Sequence, residues 1–217
     1  MKYIAHKDGE REQTIKEHLI GTATLAGQFA EKFGSKDWGY CGGMLHDIGK
    51  YSEEFQKKIN EDTNNMVDHA TAGAQLCKKI NLPVLDYCIA GHHAGLPDYG
   101  NTAERSSLCG RYKKKIYNYE AYQEEIKIPE IYTEPFDIKT LSDPDFSLST
   151  FTRMIYSCLV DADFLDTEYF MKNGLVERQS GQSMNILLKK LENRILDWLK
   201  NNDIDTEIGR ASCRERV

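Results

Sequence analysis

Residues 14–50 read TIKEHLIGTATLAGQFAEKFGSKDWGYCGGMLHDIGK, and their pattern decides the fold. Thr14-Ile-Lys-Glu17 has the form of a capping box, in which the first hydroxyl and the later carboxylate satisfy each other's backbone N–H groups. Ile15, Leu19, Ala26, Phe29, Ala30 and Phe33 then recur at helical spacing until Gly34. The stretch predicts an amphipathic helix with defined ends, and His18, three residues after Ile15 and eleven before Phe29, falls beside its buried stripe. Ser35 is a cap for a second helix running through Trp38, Tyr40, Met44 and Leu45 to His46 and Asp47, with Gly49 ending it.

Helical signals continue outward from this stretch. A short helix is predicted over 52–59, followed by a polar loop over 61–65. Asp68 is a plausible N-cap for a helix that starts at His69 and carries Ala72, Leu76 and Ile80. Pro83 suits the first turn of the next helix, from Val84 to about Ala94, which Gly95 and Pro97 close. Between Asp98 and Pro144 the pattern weakens, and residues 98–147 read as an irregular insertion, partly helical around Ser106 to Glu125. Two further helices follow, one through Phe151, Ile155, Cys158 and Leu159, the other through Met184, Leu187, Leu188, Leu191, Ile195, Trp198 and Leu199. No strand-like alternation of comparable length and no internal repeat is present, so the expected class is all-α. One domain is expected over 1–200, and 201–217 read as a linker, a truncated end or a cloning scar.

With 217 residues, 40% of them hydrophobic, the chain is long enough for one well-buried core. A net charge of −6 argues against gripping nucleic acid through a broad basic face, so a phosphate-rich substrate must be held locally, as a metal pair would hold it. Cys41, Cys77, Cys88, Cys109, Cys158 and Cys213 form no CxxC pair and read as thiols of a reducing compartment. No apolar run has the length of a signal peptide or a membrane span, and the expected location is the cytoplasm.

Five of the six histidines, His18, His46, His69, His92 and His93, fall at inward positions or at helix ends. With the carboxylates Asp47 and Asp161 they form a mixed nitrogen and oxygen donor set that suits manganese, iron, cobalt, nickel or zinc. Neighbouring side chains at a helix end diverge by roughly 100°, so His46 can cap one ion while Asp47 bridges two. His92-His93 offers a second adjacent pair where the helix dipole favours a cation. Asp161 has two competitors, Asp163 and Asp166. It lies seven residues after Met154 and four before Leu165, which places it on the inward stripe. Asp166 then suits a cap for the next helix, and Asp163 a supporting position behind a histidine. His6 reads as an ordinary polar residue.

Taken in order, His46-Asp-Ile-Gly-Lys50, Asp68-His69, Gly91-His-His-Ala-Gly95 and Leu159-Val-Asp-Ala-Asp-Phe-Leu-Asp-Thr-Glu168 resemble the HD nuclease domain of the CRISPR-associated helicase-nuclease of type I interference systems, from about Tyr3 to Leu199. The resemblance implies an HD-domain helical bundle with two divalent transition-metal ions. His18, His46, Asp47 and Asp161 would surround one ion, and Asp47, His69, His92 and His93 the other. Asp47 and Lys50 would be catalytic, Lys50 by stabilising charge on the scissile phosphate. The implied activity is endonucleolytic hydrolysis of single-stranded DNA, opened by a CRISPR surveillance complex, with no membrane involved. A Walker-type phosphate loop is absent from the sequence, so the helicase partner is expected on a separate chain or beyond this stretch.

Arg111, Lys113, Lys114 and Lys115 alternate with tyrosines in the manner of a single-strand contact, although a solvated helix face has the same composition. Two other functions share the His-Asp core: hydrolysis of nucleotides or cyclic nucleotides, and a non-catalytic, metal-stabilised docking role.

Overall fold

The capping box at Thr14 forms in the computed structural model as the sequence requires. The Thr14 hydroxyl accepts from the Glu17 N–H at 3.1 Å, and the Glu17 carboxylate accepts the Thr14 N–H at 2.9 Å. Helix α1 (Ile15–Glu31) starts there and ends before Gly34, whose φ of 76° favours a residue without a Cβ. Its inward face is Ile15, His18, Leu19, Thr22, Ala23, Ala26, Gly27 and Ala30. Helix α2 (Lys36–Leu45) lies close against this face because it carries glycine there: a Cβ on Gly43 would stand 2.4 Å from the Ala23 Cα.

The structure describes residues 2–61, 66–134, 142–176 and 181–200. After α2 the chain makes a single 3-10 turn (Ile48–Tyr51), then α3 (Glu53–Glu61), α4 (Ala70–Lys79) and α5 (Pro83–Gly91). Helix α4 starts one residue later than expected, with His69 rather than Asp68 as its N-cap, and the Asp68 carboxylate still accepts the Thr71 N–H at 3.1 Å. The stretch read as an insertion holds α6 (Leu108–Lys113) and a 3-10 turn (Glu120–Glu124). Helix α7 (Pro144–Met171) begins inside the end of that stretch, where the Asp143 carboxylate accepts the Phe146 N–H at 3.0 Å.

The architecture is all-helical, with α1 packed on α2 and α7, α5 on α7 and on α4, and α6 on α4. Ile15, Leu19, Leu45, Ile48, Leu85, Ile89, Ile155 and Leu159 form the centre of the core. Cys41, Cys77, Cys88 and Cys158 are buried free thiols, Cys109 is partly exposed, and Cys213 lies outside the described residues. No described helix is long and apolar enough to cross a membrane.

One element was not expected. Strands β1 (Ile4–Asp8) and β2 (Arg11–Thr14) pair as an antiparallel hairpin with His6 opposite Gln13. The loop is Gly9-Glu10, with φ of 61° at Gly9, the conformation a two-residue turn with leading glycine requires. The hairpin is hidden in the sequence because Lys7, Asp8, Arg11 and Glu12 give it no apolar alternation. It is fastened on two sides. The Gln56 amide of α3 exchanges hydrogen bonds with the backbone of Ile4 at 2.9 and 3.0 Å, and the Arg11 guanidinium donates to the carbonyls of Phe170 and Met171 at 3.0 and 3.2 Å.

The chain divides into two units, residues 1–176 and 177–217, so the single domain expected over 1–200 spans both. The second contains α8 (Met184–Lys200), an amphipathic helix as its spacing predicts. Residues 201–217 lie outside the described residues.

Candidate metal centre

Two helix ends build the site by the same local device. His46 and His92 stand at the C-caps of α2 and α5, and each ring donates Nδ1–H to the carbonyl three residues back, Gly43 at 2.8 Å and Ile89 at 2.7 Å. A helix end leaves such carbonyls without partners, so the bond satisfies the backbone and fixes the ring together. His69, at the start of α4, has Nδ1 3.2 Å from the Val67 carbonyl. His18, in mid-α1, has Nδ1 2.8 Å from Asp166 Oδ2. Carbonyl and carboxylate oxygens only accept, so in all four rings Nδ1 carries the proton. In the neutral ring Nε2 then holds a lone pair, and it faces inward.

The four Nε2 atoms meet around Asp47, which is 1% exposed. Oδ2 lies 3.4 Å from Nε2 of both His18 and His46, while Oδ1 lies 3.3 Å from His69 Nε2 and 3.4 Å from His92 Nε2. Each carboxylate oxygen thus faces its own group of donors. Asp163 completes the first group, its Oδ1 3.2 Å from His18 Nε2 and 3.6 Å from His46 Nε2. His93 completes the second, its Nε2 2.7 Å from His69 Nε2. The turn carrying Asp47 reaches His69 because Gly49 leaves room, since a Cβ there would stand 2.2 Å from the His69 carbonyl oxygen.

The donor sets are therefore His18, His46, Asp47 and Asp163, and Asp47, His69, His92 and His93, with the ligand atoms of each set within 4.8 Å of one another. Their bonding fits a cation. Asp47 Oδ1 and His92 Nε2 are buried and without a hydrogen-bond partner, although they face each other at 3.4 Å. Two acceptors at that distance repel until something positive lies between them. The first set is the more anionic. Burial alone would lower His18 and His46, but Asp163, Asp166 and Asp47 outweigh it for His18 and raise it to about 9, and Asp47 and Asp163 do so for His46 and raise it to about 10. Burial would likewise raise Asp47 and Asp163, but Lys50 with the histidines in the one case, and His18 and His46 in the other, hold both well below the usual carboxylate range. In the second set, burial lowers His69 to about 4 and also lowers His93, which keeps these rings neutral and available as donors. In the first set His18, His46 and Asp47 are buried and Asp163 is partly exposed, whereas His93 of the second lies at the surface.

Of the residues singled out from the sequence, the structure brings together His18, His46, Asp47, His69, His92, His93 and Lys50. Lys50 is 5% exposed, with Nζ 2.7 Å from Asp47 Oδ2. Asp161 is a correction. It is exposed and in neither set, and Asp163 stands in the position expected of it. The buried stripe of α7 is Phe151, Ile155, Cys158, Leu159 and Ala162, and at roughly 100° per residue Asp166 falls within it, while Asp163 and Asp161 stand about 95° and about 105° from its centre on opposite sides, Asp163 on the side that meets His18. The expectation was registered on Met154, which is itself 39% exposed. Asp166 caps nothing, because α7 continues unbroken past it, and it supports His18 instead. His6 is a second correction, since it lies beside the site with its ring centroid 4.6 Å from that of His18.

The basic stretch after Ser107 also sits near the second set. Arg111 Nη1 donates to the Thr71 hydroxyl at 3.1 Å, and Lys114 pairs with Asp68, the neighbour of His69. Lys113 and Lys115 are exposed.

The family HD domain matches residues 15–131, more than half of the chain. The chain belongs to the HD domain family. The HD match covers every donor except Asp163, and membership places the chain in a superfamily of metal-dependent phosphohydrolases. The HD chain is also similar to the [1-hydroxy-2-(trimethylamino)ethyl]phosphonate dioxygenase (glycine-betaine-forming) of Leisingera caerulea, with 29% identity over 102 residues. That alignment takes in 44% of this chain and 50% of the dioxygenase, so the chain spans about half the length of this relative.

Proposed function

We propose that this HD-domain chain is a metal-dependent endonuclease that hydrolyses phosphodiester bonds of single-stranded DNA within a type I CRISPR interference system. The observation that carries the reading is Asp47, with one oxygen turned to each of two donor sets. Two divalent ions held there would lower the pKa of a water and offset the charge of a phosphodiester. The ordered motifs from His46 to Glu168 add the resemblance to the CRISPR-associated nuclease domain.

In this reading the chain's own residues divide the work. The Nδ1 bonds of His18, His46, His69 and His92 hold four rings in one orientation, Nε2 inward, before any ligand arrives. His18 and His46 are themselves buried away from water, and the second set, with His93 at its rim, is the face a DNA strand can reach. Lys50 keeps Asp47 ionised and adds positive charge next to the reacting phosphate. Lys113 and Lys115 extend positive charge outward from the rim. If they touch the strand, neutralising both lowers the salt slope of DNA binding by about 1–2, and an unchanged slope removes them from the interface. A surveillance complex and a helicase outside residues 1–217 supply the opened strand, in a cytoplasmic setting.

The test is incubation of the chain with circular single-stranded DNA across a panel of manganese, iron, cobalt, nickel and zinc, with free nucleotides and cyclic nucleotides alongside. Linearised circles that disappear with a chelator, and in His46→Ala or Asp47→Ala proteins that stay helical, are expected. Turnover of nucleotides with intact circles contradicts the nuclease, and no turnover at all leaves the docking role.

The Leisingera caerulea relative favours one other reading, because donor sets of histidine and carboxylate also suit iron oxygenases. Hydrolysis proceeds unchanged without dioxygen, whereas oxidative chemistry stops, so repeating the assay under argon separates the two.

A further inference from the structure

The hairpin lies outside both donor sets, yet a chain of hydrogen bonds closed by the Lys50–Asp47 ion pair joins it to them. Asp166 Oδ2 lies 2.8 Å from His18 Nδ1 and also accepts from Gln13 Nε2 at 2.8 Å. A carboxylate oxygen only accepts, so the Gln13 nitrogen must face Asp166 and its oxygen must face the other way. That oxygen, Oε1, is 2.8 Å from His6 Nδ1. It too only accepts, so Nδ1 of His6 carries the proton and Nε2 carries the lone pair. Nε2 lies 3.2 Å from Lys50 Nζ, which is 2.7 Å from Asp47 Oδ2. Donor and acceptor roles are thus forced in one direction, from Asp166 through Gln13 and His6 to the ammonium beside the shared carboxylate.

The hairpin is placed to do this. Register sets His6 opposite Gln13, the Gln56 amide bonds both Ile4 and the Lys50 carbonyl, the latter at 2.9 Å, and Arg11 fastens the far end to α7. His6 is further held between His18 and Phe170, with centroids at 4.6 and 6.3 Å. Lys50 is a long side chain with three donors, and its ammonium otherwise meets Asp47 and the face of the Phe55 ring, 5.6 Å from the centroid.

We propose that the N-terminal hairpin is a positioning element of the centre, in which His6, held as an Nε2 acceptor by Gln13, fixes the Lys50 ammonium against Asp47. His6 acts through Lys50 and is not a metal ligand. The inference rests on the metal-centre reading but not on DNA as the substrate.

The test begins with the wild-type chain loaded with zinc, where the nitrogen shifts of His6 report its tautomer by NMR. A proton on Nδ1 is expected, and a proton on Nε2 or on both nitrogens overturns the proposal. Because this measurement needs no variant, it stands even if substitutions impair folding. Next, His6→Leu should move the Lys50 ammonium resonance and lower kcat by roughly 10-fold or more, with KM and bound metal unchanged. His6→Gln, whose amide oxygen can reach the Nε2 position, should recover most of kcat. Loss of metal along with activity in His6→Leu contradicts the assignment, as does an unmoved Lys50 resonance or an unchanged kcat. Should the wild type cut no DNA while His6 shows the Nδ1 proton and Lys50 responds to His6→Leu, the nuclease reading fails and the positioning role stands.

Discussion

Asp47 turns one oxygen to each donor set, and three acids of α7 differ in how they bear on it. Asp163 Oδ1 approaches two histidines of the first donor set, Asp166 bonds the outer nitrogen of one of them, and Asp161 faces away. Three substitutions to asparagine therefore separate. Asp166→Asn should cost roughly 10- to 100-fold in metal affinity, as outer partners of ligating histidines do, Asp163→Asn more, and Asp161→Asn nothing measurable. Bound metal counted after dialysis against a weak chelator checks the order. The six histidine and aspartate donors from His18 to His93 were legible because each stands in a motif or on a clear helical stripe. Asp163 was not, since α7 carries apolar residues on more than one face and an exposed methionine served as its reference. His6 left no signal because its strand is polar on both sides.

Elements divide in the same way. The helices of the first unit follow from capping and apolar periodicity, while the hairpin and the bond between α5 and α6 depend on partners distant in sequence. Asp86, in the first turn of α5, illustrates the second kind. It is 3% exposed, its Oδ2 accepts the Tyr112 hydroxyl of α6 at 2.6 Å, and Oδ1 has no hydrogen-bond partner. Burial outweighs that hydroxyl, its backbone bond and Lys78, and raises its pKa to about 6. A carboxyl whose folded pKa lies above its unfolded value near 3.8 contributes stability that is fully present below the lower figure. The contribution fades as pH rises through about 6. Asp86→Asn removes this dependence. Relative to the wild type, the variant should gain stability as pH rises from 4 to 7, measured as the difference in urea midpoints at each pH. A difference that stays flat across that range would mean Asp86 is not buried as the structure has it.

Across the molecule, a chain of net charge −6 buries Lys50 beside a cluster of histidines and carboxylates. Five helices and one 3-10 turn bring seven donors from positions 18 to 163 to a common centre, and a hairpin carries His6 to the lysine beside it. The all-helical class follows from spacing alone, whereas the convergence of α1, α4, α5 and α7 on one carboxylate is a property of packing that no single segment encodes. The most direct measurement of that convergence is anomalous diffraction from a crystal of the chain soaked with manganese or nickel. The account predicts two peaks, one among His18, His46, Asp47 and Asp163 and one among Asp47, His69, His92 and His93. Peaks elsewhere, or none at Asp47, would contradict it.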